Sequence, residues 1–495
     1  MYKNLLLEYN RLSKIASPYI TQFKKIPHMS LRPYLIIVIF ALSGCSYIPF
    51  DKKDIDTQKV IEIIKESDIH NEDFARFLIS RDFDKTKLPF KTWGLKELMY
   101  TQQFFNPQLK TAKIQWEMAK TNEAIAILYP PTSIGLEVGR ETTNKELTKK
   151  IFGGSFSFTF ESADKRLIRH ELAINKSQLA LIDFQLTNWE LRIDLLTKLF
   201  DFIENQEFIK LSKVELRLKQ SVMNMMKKRL EAGVASQIDL DRKTIELNKI
   251  NQSLLKLQLN QSVMRNQLAS LIGLSTEKFN LIPLDSKKIS SILDDITILY
   301  LEDKKLLELQ EISLTKRLDL RKALSNYAIA EAQLKLEVAD QYPDYTFSPA
   351  YAYEFGTRLW TLGIDSIIKS GDRNKAFINK AEKFRDLEAS KVTTLQLSTI
   401  NDIEELQLNF SNKFEDLKYS NQMVTTKNRL ESQLAARFKK GLINRMEFEN
   451  EKINLIDISR NHHKAIYNLI RIGLLAESVL QDPIFTPNLK LLNEK

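Results

Sequence analysis

Few residues in this sequence have chemistry of their own. Cys45 is the single cysteine, so a disulfide within the chain is excluded, and the thiol is either buried or modified. The five histidines stand apart except for His462-His463. A metal site needs further ligands at suitable spacing, and none accompanies that pair, so packing or solvation is the expected role. Met223, Met225 and Met226 cluster at the end of a helix-like run, where flexible packing is expected rather than a metal relay. No Gly-rich phosphate loop, HExxH or G-x-S-x-G occurs, so neither an enzyme nor a cofactor site is expected. What remains is a pair of acids, Asp239 and Glu447, each three residues after a small polar residue, Ser236 and Asn444.

These acids sit in a segment that occurs twice, Arg229 to Leu240 (RLEAGVASQIDL) and Arg437 to Phe448 (RFKKGLINRMEF), with long helix-like sequence on both sides. Gly233 and Gly441 follow the last periodic residues of one run, which suits the left-handed position just past a helix end. Ser236 with Asp239, and Asn444 with Glu447, then read as capping boxes that start the next helix. Each segment is a stop followed by a start, so two helices meet in a tight turn, twice.

The composition limits what such turns belong to. With only 13 Gly and 13 Pro in 495 residues, long helices should dominate. An internal repeat overrides the domain count that length alone would suggest. The formal charge of +10 is spread along the chain, and no basic stripe with interleaved aromatics occurs, so nucleic-acid binding is not expected. Tyr34 to Cys45 (YLIIVIFALSGC) is an apolar run behind Arg32, too short to span a bilayer and ending in small residues. It resembles a bacterial lipoprotein signal, with Leu42-Ser43-Gly44-Cys45 similar to the box cut before a lipidated cysteine and Ser46 similar to the residue that sends lipoproteins on to the outer membrane. Residues 1–44 are therefore expected to be a signal peptide, with Met29 an alternative start. Residues 45–90 form a charged, lipidated extension with no motif of its own.

The body divides into two repeats, 91–274 and 303–480, joined by a linker at 275–302 and followed by a tail at 481–495. In the first, a helical pattern ends at Tyr129-Pro130-Pro131, because proline removes a donor and biases its predecessor toward extended backbone. Alternation of period two follows. Ile134, Leu136 and Val138 alternate with Gly135, Glu137 and Gly139, and Phe156, Phe158 and Phe160 with Ser155, Ser157 and Thr159. This predicts a hairpin over 132–161. An aromatic face opposite small polar residues suits lipid outside and water inside better than the half-buried face of a soluble sandwich. A proline-free helix then runs from Arg166 to Arg229, and a return helix carries Leu247, Ile250, Leu254, Leu257, Met264, Leu268 and Leu271 as a coiled-coil seam with Gln261 in its polar slot. The second repeat follows the same plan, with a hairpin at 345–367, although Pro349 fits poorly inside a paired strand.

Four strands cannot close a barrel, and an open edge in lipid leaves backbone groups unpaired. Copies must pool their strands. Two chains would give a narrow eight-stranded barrel filled by side chains, and three would give a twelve-stranded barrel around a water-filled pore. The expected fold is thus mostly α with a transmembrane β part. Long coiled-coil helices form a periplasmic α-barrel, and four strands per chain complete a 12-stranded β-barrel in a trimer.

Arg-x-x-x-Gly with an acid six positions after the Gly, then a Leu-rich helix ending Leu271-Ile272-Gly273-Leu274, is similar to the pattern of TolC-like outer-membrane factors. So are the proline-started hairpins, and the resemblance spans about residues 91–480, in the lipoprotein branch. The second copy departs from the pattern by lacking a clean terminal Gly between Leu474 and Leu480. The resemblance implies a homotrimeric exit duct anchored in outer-membrane lipid. It implies two partners, a periplasmic adaptor and, through it, an inner-membrane transporter. Both turns would lie at the periplasmic tip, with Arg229, Gly233, Val234, Ala235, Arg437, Gly441, Leu442 and Ile443 matching the adaptor-docking positions. Asp239, Glu447 and Asn450 match the acidic positions that line the narrowed entrance, where three carboxylates around the axis would favour cations. Asn450 stands where the family has an acid, so a second acidic ring is not expected. The substrate, whether drug, metal or protein, is not encoded in any of these residues. The competing reading is a lipid-anchored periplasmic coiled-coil tether, which would have no use for aromatic-faced strands of membrane length.

Overall fold

The computed structural model describes residues 48–56, 58, 69, 71–88, 90–140, 150–285, 310–311, 313–354 and 356–483. Cys45, the signal segment, the polar stretch 141–149, most of the linker and most of the tail lie outside the described residues. The chain divides into two compact units, Met1–Ile61 and Glu62–Lys495. The described residues of the first are all exposed. Every element below belongs to the second.

Helix α1 (Glu72–Ile79) starts at Asn71, whose side chain accepts from the Asp73 N–H at 2.8 Å. Helices α2 (Leu95–Phe105) and α3 (Pro107–Ala126) are separated by Asn106 alone. Pro107 takes the first turn of α3, where its missing N–H costs nothing. The Asn106 side chain accepts from the Gln108 N–H and donates to the Leu271 carbonyl, both at 2.8 Å. One residue thereby caps one helix and ties it to the end of another.

The two long helices are α4 (Lys165–Glu231, 67 residues) and α8 (Gly371–Lys439, 69 residues). At about 1.5 Å per residue each spans on the order of 100 Å. Each turns back into a return helix, α5 (Gln237–Ile272) and α9 (Arg445–Leu480), both of 36 residues. The short α6 (Thr276–Asn280) lies in the linker, and α7 (Leu318–Ala339) opens the second repeat where α3 stands in the first. Along the predicted seam of α5, Ile250 and Leu268 are buried and the others half-buried. The polar slot is filled in pairs, with the Asn205 amide donating to the Gln261 side chain at 2.5 Å and to the Leu257 carbonyl at 2.9 Å.

Strands β1 (Ser133–Arg140), β2 (Lys150–Phe160), β3 (Tyr345–Glu354) and β4 (Thr357–Ser366) form one antiparallel sheet in the order β1-β2-β3-β4. The β2–β3 contact joins the two repeats. Its register is constant, but the ladder lapses between Ser155↔Ala350 and Phe158↔Phe347, opposite Pro349. A proline has no N–H to give there, and hydroxyl pairs bridge the strands within the lapse and just beyond it. Ser157 bonds Ser348 and Thr159 bonds Thr346, each at 2.9 Å. Pro349 keeps its place against Leu362 of β4.

The main core lies midway along α4, where Leu195, Leu196 and Leu199 are fully buried. The C-terminal ends of α5 and α9 and the whole of α1, α2 and α6 converge on that stretch. Phe74 and Leu78 of the charged extension and Phe279 of the linker are part of this core, so α1 and α6 belong to the packed body. At its edge Arg192 Nε donates to Glu477 at 2.5 Å, joining α4 to α9 with both side chains almost wholly buried. Charges removed from water in this way must stay paired.

Candidate membrane face and helical tip

The pleat of the sheet sorts its residues onto two faces. On one lie Ile134, Leu136 and Val138 of β1, Phe152, Phe156, Phe158 and Phe160 of β2, Tyr345, Phe347, Pro349, Tyr351 and Tyr353 of β3, and Trp360, Leu362 and Ile364 of β4. Many of them are turned outward: Leu136, Val138 and Trp360 are 78–79% exposed. Tyr351 and Trp360 pack ring to ring at 4.8 Å, and Phe158 stacks on Phe347 at 5.7 Å. The other face carries Gly135, Ser155, Ser157, Thr159, Thr346, Ser348, Thr361 and Asp365. At Gly135 a Cβ would come within 2.4 Å of the Ser155 hydroxyl, so glycine lets the two strands keep their spacing there. An uncovered apolar face of this extent is not stable against water and requires an apolar environment.

At the far end of the long helices are the two turns. Each is a Schellman motif. The Gly233 N–H donates to the Leu230 carbonyl and the Val234 N–H to the Arg229 carbonyl, both at 2.9 Å. Gly441 to Phe438 and Leu442 to Arg437 repeat the pattern at 3.0 Å. Both glycines have positive φ, +73° and +72°, and an added Cβ would meet nothing, so backbone conformation alone requires them. Val234 and Leu442, which in such motifs often pack back on the helix, are instead 64% and 65% exposed. Ala235 is half-buried and Ile443 is buried, while Arg229 and Arg437 are exposed. The Arg229 guanidinium approaches the Met446 sulfur at 3.5 Å, bringing the first turn against the second repeat.

The capping boxes differ between the copies. In the first, the Ser236 side chain accepts from the Asp239 N–H at 3.2 Å, while the Ser236 N–H and O–H donate to the Asp239 carboxylate at 3.2 and 2.7 Å. The hydroxyl bond, with the backbone bond behind it, holds the Asp239 carboxyl below the usual carboxylate range. In the second, Asn444 accepts from the Glu447 N–H at 2.8 Å, but the Glu447 side chain makes no return bond. The expected reciprocal box is therefore half-formed, and among the described residues the exposed Glu447 carboxylate has no ion-pair partner. Asn450 is half-buried one turn further on.

Three features of the tip escaped sequence reasoning. Phe438 stacks on Phe448 at 4.8 Å and Lys452 lies over the Phe448 ring at 4.5 Å, where the first copy has Leu230 and Leu240. Glu449 is buried and held by Arg445 at 2.9 Å. The aromatic pair at matching positions was the readable signal. The histidine pair behaves as packing: His462 Nδ1 bonds the Ser420 hydroxyl at 3.2 Å. Met223 and Met226 are buried. Among the described residues no group of three or more His, Cys, Asp or Glu could hold a metal ion, and no helix is long and apolar enough to cross a membrane.

Solved outer-membrane proteins have this arrangement. The outer-membrane protein VceC of Vibrio cholerae superposes with a TM-score of 0.61 at 13% identity, covering 78% of this chain and 95% of its own. The CmeC outer-membrane channel of Campylobacter jejuni gives 0.63 at 11% identity over 91% and 96%. The outer-membrane channel OprN gives 0.63 at 16% identity over 89% and 99%. At these identities the likeness establishes the fold, long helices with a small strand part. No protein-family model matches the sequence, and no curated protein matches it either.

Proposed function

We propose that this chain is one of three identical subunits of an outer-membrane exit duct, serving a tripartite efflux or type I secretion system. The observation that carries the reading is the single four-stranded sheet, with one outward apolar face, one polar face and unpaired edges at β1 and β4. Three such sheets joined edge to edge put lipid outside and Ser, Thr and Gly toward water. The helices support the same stoichiometry. The outward sides of α3 and α5 at one edge and of α8 at the other carry exposed Ile114, Leu259 and Leu408, which neighbouring copies would cover. A tether that stays in water gains nothing from such surfaces.

In this arrangement the strands lie in the outer membrane and the two turns at the periplasmic end. Cys45 carries the lipid anchor. Exposed Val234 and Leu442, with Arg229 and Arg437 beside them, present an apolar and basic surface to the hairpin tip of a periplasmic adaptor, which links the duct to an inner-membrane transporter. Glu447, whose side chain is free of the cap, is the acid that three-fold symmetry would repeat around the entrance. Asp239 is committed to its cap, and Asn450 adds no charge.

Single-channel recording on cross-linked protein in planar bilayers tests the proposal. Trimers carrying small cation-selective currents that change in Glu447→Ala are the expected result. Monomers that do not insert would overturn it.

A further inference from the structure

Strand β1 begins at Ser133, opposite Ser157, so the last residues of β2 have no backbone partner on that side. Tyr129 to Thr132 are not part of the strand, and here lies a cavity of about 400 Å³ walled by Tyr129, Phe158, Phe160, Asp164 and Arg166. Phe158 and Phe160 belong to the apolar face, so the cavity opens where that face ends and the helices begin. The charges inside it are unusual. Glu161, also in the wall, is taken by Arg169 in a two-point ion pair. Arg166 has no carboxylate partner among the described residues; its guanidinium stacks over the Tyr129 ring at 3.8 Å, and its Nε is shielded from solvent without a hydrogen-bond partner. Asp164, exposed at the rim, makes no side-chain cap bond and no ion pair among the described residues. A cavity with an apolar wall, one unneutralised guanidinium and one unneutralised carboxylate matches a molecule with a hydrocarbon chain, a phosphate and an ammonium.

We propose that this cavity is a binding site for the headgroup of a zwitterionic phospholipid of the surrounding membrane. The phosphate is bound by Arg166, held in place by Tyr129, the ammonium faces Asp164, and an acyl chain runs along Phe158 and Phe160. Guanidinium suits a phosphate because its N–H groups match two oxygens at once. The inference rests on the membrane placement of the sheet argued above.

The test uses the chain from Ser46 onward, which has no lipid anchor to float it, reconstituted in phosphatidylethanolamine liposomes, with bilayer insertion read by flotation and lipid retained after detergent extraction read by native mass spectrometry. The expected result is retained phosphatidylethanolamine on the wild type, roughly tenfold weaker retention in Arg166→Gln, and only partial recovery in Arg166→Lys, which keeps the charge but not the two-point contact. Neither dioleoylglycerol, which lacks the phosphate, nor inorganic phosphate alone should occupy the site. Equal retention in wild type and Arg166→Gln, with both proteins floating, would overturn the site and leave the membrane reading intact. Wild-type protein that does not float would overturn both.

Discussion

Helices α4 and α8 are nearly equal in length and stand at matching places in the two repeats, yet they live in different surroundings. Helix α4 packs against α3, α5, α7 and α9, whereas α8 packs against α7 and α9. Leu195, Leu196 and Leu199 of α4 are fully buried, while Leu397, Leu408 and Tyr419 of α8 are 60%, 68% and 60% exposed. A repeated sequence has thus produced one helix that is the interior of the subunit and one that is its border. Apolar residues are buried within the chain along α4, whereas α8 buries Ile403, Leu406 and Phe410 and leaves Leu397 and Leu408 open.

The contrast is broken most directly at the buried ion pair. Arg192→Met leaves Glu477 charged and without its partner in the core, and should cost about 3–5 kcal/mol in thermal or denaturant unfolding. Adding Glu477→Leu should recover most of that loss, because the cost lies in the unpaired charge. Leu195→Ala should cost about 2–5 kcal/mol. Leu408→Ala should leave the stability of the dissociated chain within about 0.5 kcal/mol of wild type, while lowering the yield of cross-linked trimer. A Leu408→Ala chain that unfolds as early as Leu195→Ala would erase the distinction between interior and border.

The glycines give a smaller and sharper version of the same test. Gly273 has φ +85°, and a Cβ there would lie 2.4 Å from the Phe105 carbonyl oxygen, so backbone must move. Gly233→Ala meets only the conformational penalty of about 1 kcal/mol. Gly273→Ala should therefore lower the melting temperature clearly more than Gly233→Ala. At the turns, Ser236→Ala removes two of the three bonds of its cap, leaving the backbone one, and should cost about 1 kcal/mol, with Asn444→Ala costing less because only one bond is lost. The weakest effect is that of pH on the α8–α9 contact. Burial, with His463 adding to it, pushes the His462 pKa below its usual 6.5. The folded chain then resists protonation more than the unfolded chain does, so stability present above pH 6.5 is lost as pH falls through the folded value. Unfolding midpoints at pH 7.5 and 5.5 should show that loss, and His462→Asn should reduce it.

Local features were legible in the sequence because their causes are local. Proline after Tyr129 and Tyr342, period-two alternation, and Gly followed by a small polar residue each report on a few neighbouring residues, and the hairpins, turns and long helices stand where those signals put them. Contacts between distant positions left no such trace. Nothing near Phe74 or Leu78 says that the charged extension reaches the core, and Arg192 and Glu477 each read as ordinary surface charges on long helices. The difference between Asp239 and Glu447 was invisible for another reason. Spacing locates a cap but does not say whether the second side chain turns back to close it. The missing terminal glycine of the second repeat also has a physical answer. Gln481 takes the left-handed position itself, at φ +50°, and its side chain accepts from the Leu318 N–H at 2.5 Å, so a contact replaces conformational freedom.

The number of strands carries one more consequence. In an antiparallel sheet of four, the first and last strands run in opposite directions, so rotating one copy beside another brings β4 against β1 with the alternation unbroken. A chain with three or five strands would meet its neighbour with two strands running the same way, and every seam would change its bonding pattern. Parity therefore restricts how such a chain can grow or shrink. Strands can be gained or lost as whole hairpins, while a single added strand would spoil every junction in the ring.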